Sequence, residues 1–297
     1  MDVVSVVNGK TELFGLLGDP VEHTKSPFIH NTLFNQFKIN AIYVPILVNK
    51  GYLENAVNGL KAQNFVGFNV TVPYKKDIIK YLDDISNDAL LMGAVNTVKN
   101  ISGKLKGYNT DAEGFVRDFK DGFNVNFKGK RVLLLGAGGT ARALAIKLAA
   151  EGIQHLTIAN RTQQHAQNIV DLVKNNYGSV VSYTDPSSTQ FPAEIQSSEI
   201  IINTTPAGMS TYLNSTPFDF EFVFNKNQLV YDVIYSPNKT KFLEQAENYG
   251  CKIRNGFGML INQGVSAFEI WTGKTVNKQQ SMELLNVINN LEDLQDL

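Results

Sequence analysis

A short apolar run that leads directly into a cluster of glycines constrains this chain more than any other feature. The run covers 132–135 and is followed by Gly136, Ala137, Gly138, Gly139 and Thr140, with a predicted helix over 141–150. Between a strand and a helix, the pattern G-x-G-x-x-G/A permits a tight turn and brings backbone amides close to a pyrophosphate. An ordinary tight turn is the alternative, but the surrounding strand and helix favour a dinucleotide site.

The end of the next predicted strand, 156–159, indicates which dinucleotide would bind. Sites for NAD usually carry Asp or Glu here to hold the ribose 2′-hydroxyl, whereas this chain continues with Asn160, Arg161 and Thr162. A guanidinium binds a 2′-phosphate through paired, charged hydrogen bonds and can lie flat against adenine. The sequence therefore predicts NADP as the cofactor, with an exposed loop arginine as the alternative interpretation.

Two series of alternating strands and helices follow each other along the chain. Strand-like runs at 13–17, 42–48 and 66–72 alternate with helix-like stretches near 27–38, 50–63 and 76–91, and a second series begins at Arg131. Further strands are predicted at 200–203 and 229–233, and 255–297 is predicted to be helical. This alternation indicates an α/β fold.

The length of 297 residues suggests two compact units, because domains commonly contain about 100–200 residues. We predict two α/β domains. The first is a substrate-binding catalytic domain over 1–110, completed by 256–297, so that the C-terminal helix returns to it. The second is a Rossmann-type NADP-binding domain over 111–255.

Small polar residues are concentrated in the predicted loops. Ser26 is predicted to cap the first helix, with Pro27 in its first turn, so Thr24 and Ser26 lie where this helix begins. The other residues of this kind are Asn69, Thr71, Lys75, Asn96, Asn109, Asp111 and Gln263. Each alone is best explained as a turn or cap. Together they predict a crevice at the carboxyl ends of parallel strands that orients a polyhydroxylated ligand.

Lys75 and Asp111 are the charged residues of this set, so they are the candidates for proton transfer. Oxidation of a hydroxyl by loss of hydride also requires loss of its proton to a positioned base. A neighbouring carboxylate raises the pKa of a lysine and burial lowers it, so the sequence leaves open which of the two takes the proton. The histidines have no evident partner, and we assign His23 only to positioning its loop.

Charge and cysteine content exclude several classes of function. Lys plus Arg number 27 against 28 for Asp plus Glu, which leaves no basic excess for nucleic acid or an anionic membrane. No run of 18 apolar residues predicts a membrane span. The single Cys251 cannot pair within the chain, no metal site is predicted, and these features together favour a cytoplasmic location.

These segments together resemble the shikimate dehydrogenase family, and the resemblance covers essentially the whole chain. The motifs occur in the family's order at 18–31, 69–75, 93–97, 109–111, 203–209, 231–235 and 256–263. The resemblance implies that NADP and a small-molecule substrate exchange a hydride. It implies reversible reduction of 3-dehydroshikimate to shikimate in aromatic amino-acid biosynthesis.

The same resemblance assigns roles to individual residues. Lys75 would be the acid/base residue, with Asp111 as its partner, and Thr24 and Ser26 would bind the substrate carboxylate. Contact with substrate hydroxyls, or shaping of the pocket, is implied for Thr71, Asn96, Tyr235 and Gln263. A place beside the nicotinamide is implied for Val233 and Gly256.

Two departures from the family pattern leave alternatives open. Thr24 stands where the family commonly has serine, and His165 stands where the last base of the NADP clamp is expected. A dual quinate/shikimate dehydrogenase that uses NAD or NADP is therefore the first alternative. A non-catalytic NADP-binding sensor is an alternative of a different class, and a two-domain dehydrogenase for a folate or an amino acid is the third. The oligomeric state is open, with a homodimer as the candidate.

Overall fold

The computed structural model describes residues 7–178 and 181–295. The chain forms two compact units. Unit 1 contains the residues up to 114 and those from 261 onward, and unit 2 contains 115–260. The boundaries predicted from the sequence, 110/111 and 255/256, lie slightly before these points. Both observed boundaries fall inside helices.

Unit 1 is built on a six-stranded mixed sheet with the strand order β2-β1-β3-β5-β6-β4. Its strands are β1 (Glu12–Gly18), β2 (Ala41–Leu47), β3 (Gly67–Val70), β4 (Asp84–Ile85), β5 (Thr97–Ile101) and β6 (Lys104–Tyr108). The first helices are α1 (Ser26–Gln36), α2 (Leu53–Ala62) and α3 (Asn87–Met92), and α4 (Asp111–Phe123) follows β6. Strand β1 pairs in parallel with β2 and β3, whereas β5 is antiparallel to β3 and β6.

The long helix predicted over 76–91 is wrong. The chain instead forms a short 3₁₀ helix at Asp77–Tyr81, then β4 and α3. Asp84 and Ile85 pair with Lys106 and Gly107 in β6, and this tertiary pairing overrides the local helical preference. The Ser86 hydroxyl then accepts a hydrogen bond from the backbone of α3, which starts a separate helix.

Ser26 does not cap α1, so this prediction is also wrong. The helix begins at Ser26 itself, and Lys25 occupies the cap position with helical backbone angles. The hydroxyl that faces the start of the helix belongs to Thr24, whose Oγ1 accepts a hydrogen bond from the Ser26 amide at 3.2 Å. Among the described contacts, the Ser26 side chain therefore does not accept a hydrogen bond from the first turn of α1.

Unit 2 is a parallel six-stranded sheet with the order β12-β11-β10-β7-β8-β9. Its strands are β7 (Arg131–Leu135), β8 (His155–Ala159), β9 (Val181–Thr184), β10 (Ile200–Asn203), β11 (Leu229–Asp232) and β12 (Lys252–Arg254). Its helices are α5 (Gly139–Ala150), α6 (Gln163–Tyr177), α7 (Phe191–Ser197) and α8 (Lys241–Asn248). The order reverses between β7 and β10, as in a doubly wound dinucleotide-binding sheet, which confirms the predicted Rossmann-type domain.

A buried charge cluster joins the part of α4 that lies in unit 2 to two strands of that unit. Asp118, 1% exposed, accepts hydrogen bonds from the Tyr231 hydroxyl at 2.8 Å and from Arg254 Nε at 2.8 Å. Arg254 Nη2 also bonds the second carboxylate oxygen. Burial raises the pKa of Tyr231 well above its ordinary value, so its hydroxyl remains a donor.

The last two helices, α9 (Phe257–Thr272) and α10 (Lys278–Gln295), bring the chain back to unit 1, as predicted. Trp271 of α9 donates to the Val98 carbonyl of β5 at 2.9 Å. Its ring packs against Phe14 of β1, and α10 packs on α1. The C-terminal segment therefore supplies part of the core of unit 1.

Replacing Gly67 with alanine is expected to destabilise unit 1 by about 1–3 kcal/mol, as overpacking of a close-packed core usually does. A methyl group on Gly67 would overlap the indole of Trp271, which is 4% exposed and hydrogen-bonded. Urea-induced unfolding measures the change. Gly59→Ala in α2 is the matched control, because a methyl group there meets Gln63 only at 3.7 Å and should be neutral or slightly stabilising. Equal effects of the two substitutions would contradict the packing argument.

Candidate active site

Lys75 and Asp111 form an ion pair in unit 1. Lys75 lies in the turn after β3, Asp111 is the first residue of α4, and Nζ lies 2.7 Å from Oδ2. The two side chains are 32% and 24% exposed, so they are partly shielded but accessible. The two residues that the sequence selected for proton transfer are therefore in direct contact.

Asn96 braces the other oxygen of the Asp111 carboxylate. Its Nδ2 donates to Asp111 Oδ1 at 2.8 Å, and its Oδ1 accepts from the Thr110 amide at 2.8 Å. Since both oxygens of Asp111 accept hydrogen bonds, the geometry favours the carboxylate as the anionic acceptor. Lys75 then carries the protons of the pair.

Asn96 is supported by three further polar residues that received no role from the sequence, Thr97, Tyr43 and Thr110. Thr97 donates to Asn96 Oδ1 at 2.9 Å and accepts from Asn69 Nδ2 at 3.0 Å. Tyr43 donates to Asn69 Oδ1 at 2.7 Å. The third is Thr110, whose hydroxyl accepts from Asn96 Nδ2 at 3.0 Å.

The residues predicted to bind a carboxylate lie at the start of α1. Thr24 accepts from the Ser26 backbone amide, and Ser26 is 9% exposed. Thr71 lies beside the end of β1, because a methyl group on Gly18 would overlap its side chain.

His30 and Asn31 of α1 hold Tyr43 in place. The amide of Asn31 pairs with both the N–H and the C=O of Tyr43, at 2.8 and 3.0 Å. The His30 ring stacks on the Tyr43 ring with a centroid distance of 4.4 Å. Burial lowers the pKa of His30 to about 3, and the nearby Asn69 side chain offsets only part of this effect. His30 is therefore neutral near pH 7.

The stability of the protein is expected to fall on acidification through His30. The ring is neutral in the folded state down to about pH 3 but protonates near 6.5 when unfolded, so its contribution is full above pH 6.5. As the pH falls below 6.5, that contribution decreases by about 1.4 kcal/mol per pH unit. Urea titrations between pH 7 and 5 should show a shallower pH slope for His30→Leu than for the wild type. His23→Leu, in an exposed loop, is the control, and identical slopes for wild type and His30→Leu would contradict this assignment.

The glycine turn of unit 2 has the geometry that a pyrophosphate requires. Gly136 has a φ of +104°, and a methyl group there would lie 2.8 Å from Thr204 Oγ1, so this position favours glycine. A methyl group on Gly138 or Gly139 would meet nothing within 4 Å, which shows open space over the turn. Helix α5 begins at Gly139 without a side-chain cap among the described residues. Its first amides are thus available to an anion, and the turn fits a dinucleotide.

The loop after β8 carries the predicted adenosine-side residues. Asn160 Nδ2 donates to the Thr162 carbonyl at 2.9 Å, which shapes the loop, and Arg161 is exposed. Helix α6 starts just beyond and has no acidic residue in its first turn. The positive charge of Arg161 beside a helix N-terminus fits a bound phosphate.

Asp232 fixes the loop that follows β11. Its carboxylate accepts from Asn203 Nδ2, the Ile234 amide and Thr240 Oγ1 at 3.0, 3.1 and 2.7 Å, and burial raises its pKa to about 6. A methyl group on Gly256 would overlap the Val233 carbonyl. Val233 and Gly256, both predicted to line the nicotinamide, are therefore in close backbone contact.

Two predicted substrate residues lie on elements other than those that carry the ion pair. Tyr235 lies in unit 2, in the loop after β11, and is 40% exposed. Gln263 lies in α9 and is half-buried. In the part of the chain that the structure describes, no group of His, Cys, Asp and Glu side chains is placed to hold a metal ion. None of the described helices combines the length and apolar character needed to span a bilayer.

Three family models match consecutive parts of the chain. The shikimate dehydrogenase substrate binding domain matches 16–98, shikimate / quinate 5-dehydrogenase matches 119–216, and the shikimate 5'-dehydrogenase C-terminal domain matches 256–285. The chain is also similar to a curated shikimate dehydrogenase (NADP(+)) of Caldanaerobacter subterraneus subsp. tengcongensis. The two are 41% identical over 92% of this chain and 95% of the relative.

Two solved structures are similar over nearly the whole chain. Shikimate 5-dehydrogenase from Listeria monocytogenes, in complex with shikimate and NAD, is 36% identical with a TM-score of 0.89. The match covers 95% of this chain and 99% of that one. A shikimate dehydrogenase in complex with NADP+ is 38% identical with a TM-score of 0.85, covering 95% and 96%.

Proposed function

The chain belongs to the shikimate dehydrogenase family, and we propose that its Lys75–Asp111 pair transfers the proton of the family's reaction. That reaction is the NADP-dependent, reversible reduction of 3-dehydroshikimate to shikimate in the shikimate pathway. The observation that carries the proposal is the 2.7 Å ion pair, with Asn96 on the second carboxylate oxygen. Because both carboxylate oxygens of Asp111 accept hydrogen bonds, Lys75 is the member of the pair that can donate a proton.

The roles of the pair follow from the charge that develops during reduction. NADPH, when bound, supplies the hydride to the C3 carbonyl carbon. Lys75 Nζ gives a proton to the carbonyl oxygen, and its ammonium stabilises the negative charge that develops there. Asp111 remains an anion and orients the ammonium, and the neutral amine left after the transfer takes a proton back from solvent. In the oxidative direction the neutral Lys75 amine takes the hydroxyl proton.

The remaining residues of unit 1 hold and orient the substrate. Thr24 and Ser26 present hydroxyls to the substrate carboxylate at the start of α1, and Thr71 and Gln263 bind its ring hydroxyls. Asn96 is 3% exposed, and its amide already bonds Asp111, Thr110 and Thr97. We therefore assign Asn96 chiefly to shaping the site, and Tyr235 to substrate hydroxyls or the shape of the pocket.

Unit 2 holds the cofactor through its glycine turn and the loop after β8. The amides of Gly138, Gly139 and Thr140 face the pyrophosphate, with Gly136 and Ala137 forming the turn. Asn160, Arg161 and Thr162 bind the adenosine 2′-phosphate, and Val233 and Gly256 contact the nicotinamide. The open space over Gly138 and the exposed Arg161 support this arrangement.

Arg161→Ala is expected to raise the KM for NADP by about 10- to 100-fold and to leave the KM for NAD nearly unchanged. The substitution removes charge-assisted hydrogen bonds to a phosphate that NAD lacks. Initial rates with each cofactor measure the effect. Lys174→Ala, at the far end of α6, removes a positive charge without touching this loop and should change neither KM. An equal rise in the KM for NAD would show that Arg161 does not bind the 2′-phosphate.

The assay that tests the proposed function follows the absorbance of the reduced nicotinamide cofactor that is formed. Shikimate and quinate are each offered with NADP and with NAD. Fastest turnover of shikimate with NADP supports the proposal. Comparable turnover of quinate, or with NAD, would favour the dual-specificity enzyme that Thr24 and His165 left open. NADP binding without turnover of either acid would favour the sensor. A homodimer and a cytoplasmic location stay predictions.

A further inference from the structure

A continuous series of hydrogen bonds runs through unit 1 from Tyr43 to Asp111. It passes from Tyr43 to Asn69 at 2.7 Å, Asn69 to Thr97 at 3.0 Å, Thr97 to Asn96 at 2.9 Å and Asn96 to Asp111 at 2.8 Å. It therefore ends on the proposed proton-transfer pair.

The direction of this series is fixed by backbone groups. Asn96 Oδ1 accepts from the Thr110 amide, so Nδ2 of Asn96 is the atom that faces Asp111. Asn69 Nδ2 donates to the Asn96 carbonyl, so Oδ1 of Asn69 faces Tyr43. An amide nitrogen only donates and an amide oxygen only accepts. Every hydroxyl and amide between Tyr43 and Asp111 must consequently donate toward the carboxylate.

The interior of the series is shielded from water. Thr97 is fully buried, and Tyr43, Asn69 and Asn96 are 1%, 5% and 3% exposed. In a poorly solvated environment, successive hydrogen bonds polarise one another and strengthen the last bond. Four successive donors thus point toward Asp111 and end on Oδ1, whereas Lys75 binds Oδ2.

We propose that Thr97, Asn69 and Tyr43 are positioning residues that hold the Asp111 carboxylate charged and oriented for the reaction. The proposal rests on the proposed function of the Lys75–Asp111 pair. Thr97 is the decisive member, because full burial keeps it away from any substrate and its hydroxyl is both acceptor and donor in the series. The charged group that faces Asp111 in the described contacts is Lys75, and the neutral His30 ring faces Tyr43.

Thr97→Val tests the proposal because it keeps the shape of the side chain and removes its hydroxyl. We expect kcat for shikimate oxidation to fall about five- to tenfold, with an unchanged KM for NADP. The pH profile of kcat/KM should change as well, since the reaction needs a charged Asp111 beside the Lys75 amine that exchanges the proton. Thr97→Ser, which retains the hydroxyl, should restore both values.

Thr157→Val is the matched control, because Thr157 is a buried threonine of β8 in unit 2 whose hydroxyl also donates to a side chain. It should change stability without moving the pH profile. A Thr97→Val enzyme with the wild-type rate and profile, or a Thr97→Ser enzyme that behaves like Thr97→Val, would overturn the proposal.

A second readout does not depend on turnover. Carbon NMR of protein labelled in its aspartate carboxyl groups follows the Asp111 titration directly, with Asp111→Asn used to assign the signal. The titration should move to higher pH in Thr97→Val and return in Thr97→Ser. If the wild type fails to oxidise shikimate, the proposed function fails, whereas an unmoved Asp111 titration overturns the positioning role on its own.

Discussion

Lys75→Ala is expected to lower kcat for shikimate oxidation by about 10²–10⁴-fold, the usual contribution of a positioned acid or base. The substitution removes the group that exchanges a proton with the substrate oxygen, and it leaves the Asp111 carboxylate without its cation. Cofactor binding should persist, because the glycine turn and Arg161 belong to unit 2. Steady-state rates and NADPH fluorescence titration measure the two effects separately.

Lys76→Ala is the matched control for this experiment. Lys76 is the next residue, is exposed, and would lose an equal charge, so a general electrostatic effect on substrate attraction should appear in both variants. We expect Lys76→Ala to retain nearly wild-type kcat. Retention of a substantial fraction of kcat by Lys75→Ala would exclude Lys75 as the acid/base residue.

Asp118→Ala is expected to lower the free energy of unfolding of unit 2 by about 3–5 kcal/mol, the range observed when one partner of a buried ion pair is removed. The substitution leaves Arg254 without its carboxylate and the fully buried Tyr231 hydroxyl without its acceptor. Urea-induced unfolding, followed by circular dichroism, measures the loss.

Asp84→Ala provides the comparison for Asp118→Ala. Asp84 also pairs with a cation, at 2.6 Å from Lys106 Nζ, but its side chain is 61% exposed. Exposed ion pairs contribute little to stability, so we expect no measurable change. Similar losses in the two variants would contradict the view that burial makes Asp118 decisive.

The dinucleotide-binding unit was predictable because its signals are local. The apolar strand, the glycine turn and the helix that follows occupy about twenty consecutive residues. The positive φ of Gly136 favours glycine at the turn between them. The short strand β4 was not predictable in the same way. It forms because Asp84 and Ile85 pair with residues of β6. No local sequence pattern indicates this pairing.

Part of the candidate site could not be predicted from the sequence either. Lys75, Asn96 and Asp111 stand in quoted motifs, and the structure brings them into contact. Thr97 stands in the motif at 93–97 but receives no role from it, and Tyr43 looks like an ordinary strand residue, since aromatic side chains are common in sheets. Their hydrogen bonds to Asn69 span 26 and 28 residues of sequence, so only the paired strands reveal them.

Because unit 1 is completed by residues beyond 260, its core cannot close until the ribosome has made the chain past that point. Trp271, which covers Gly67 and bonds Val98, is synthesised 173 residues after Val98. At elongation rates of about 5–20 residues per second, this delay lasts roughly 9–35 seconds. During that interval the nascent sheet of unit 1 presents an uncovered apolar face, while the residues of unit 2 are made and completed first. Co-translational folding therefore starts in the middle of the chain and finishes at its first domain, where chaperones have the longest opportunity to bind.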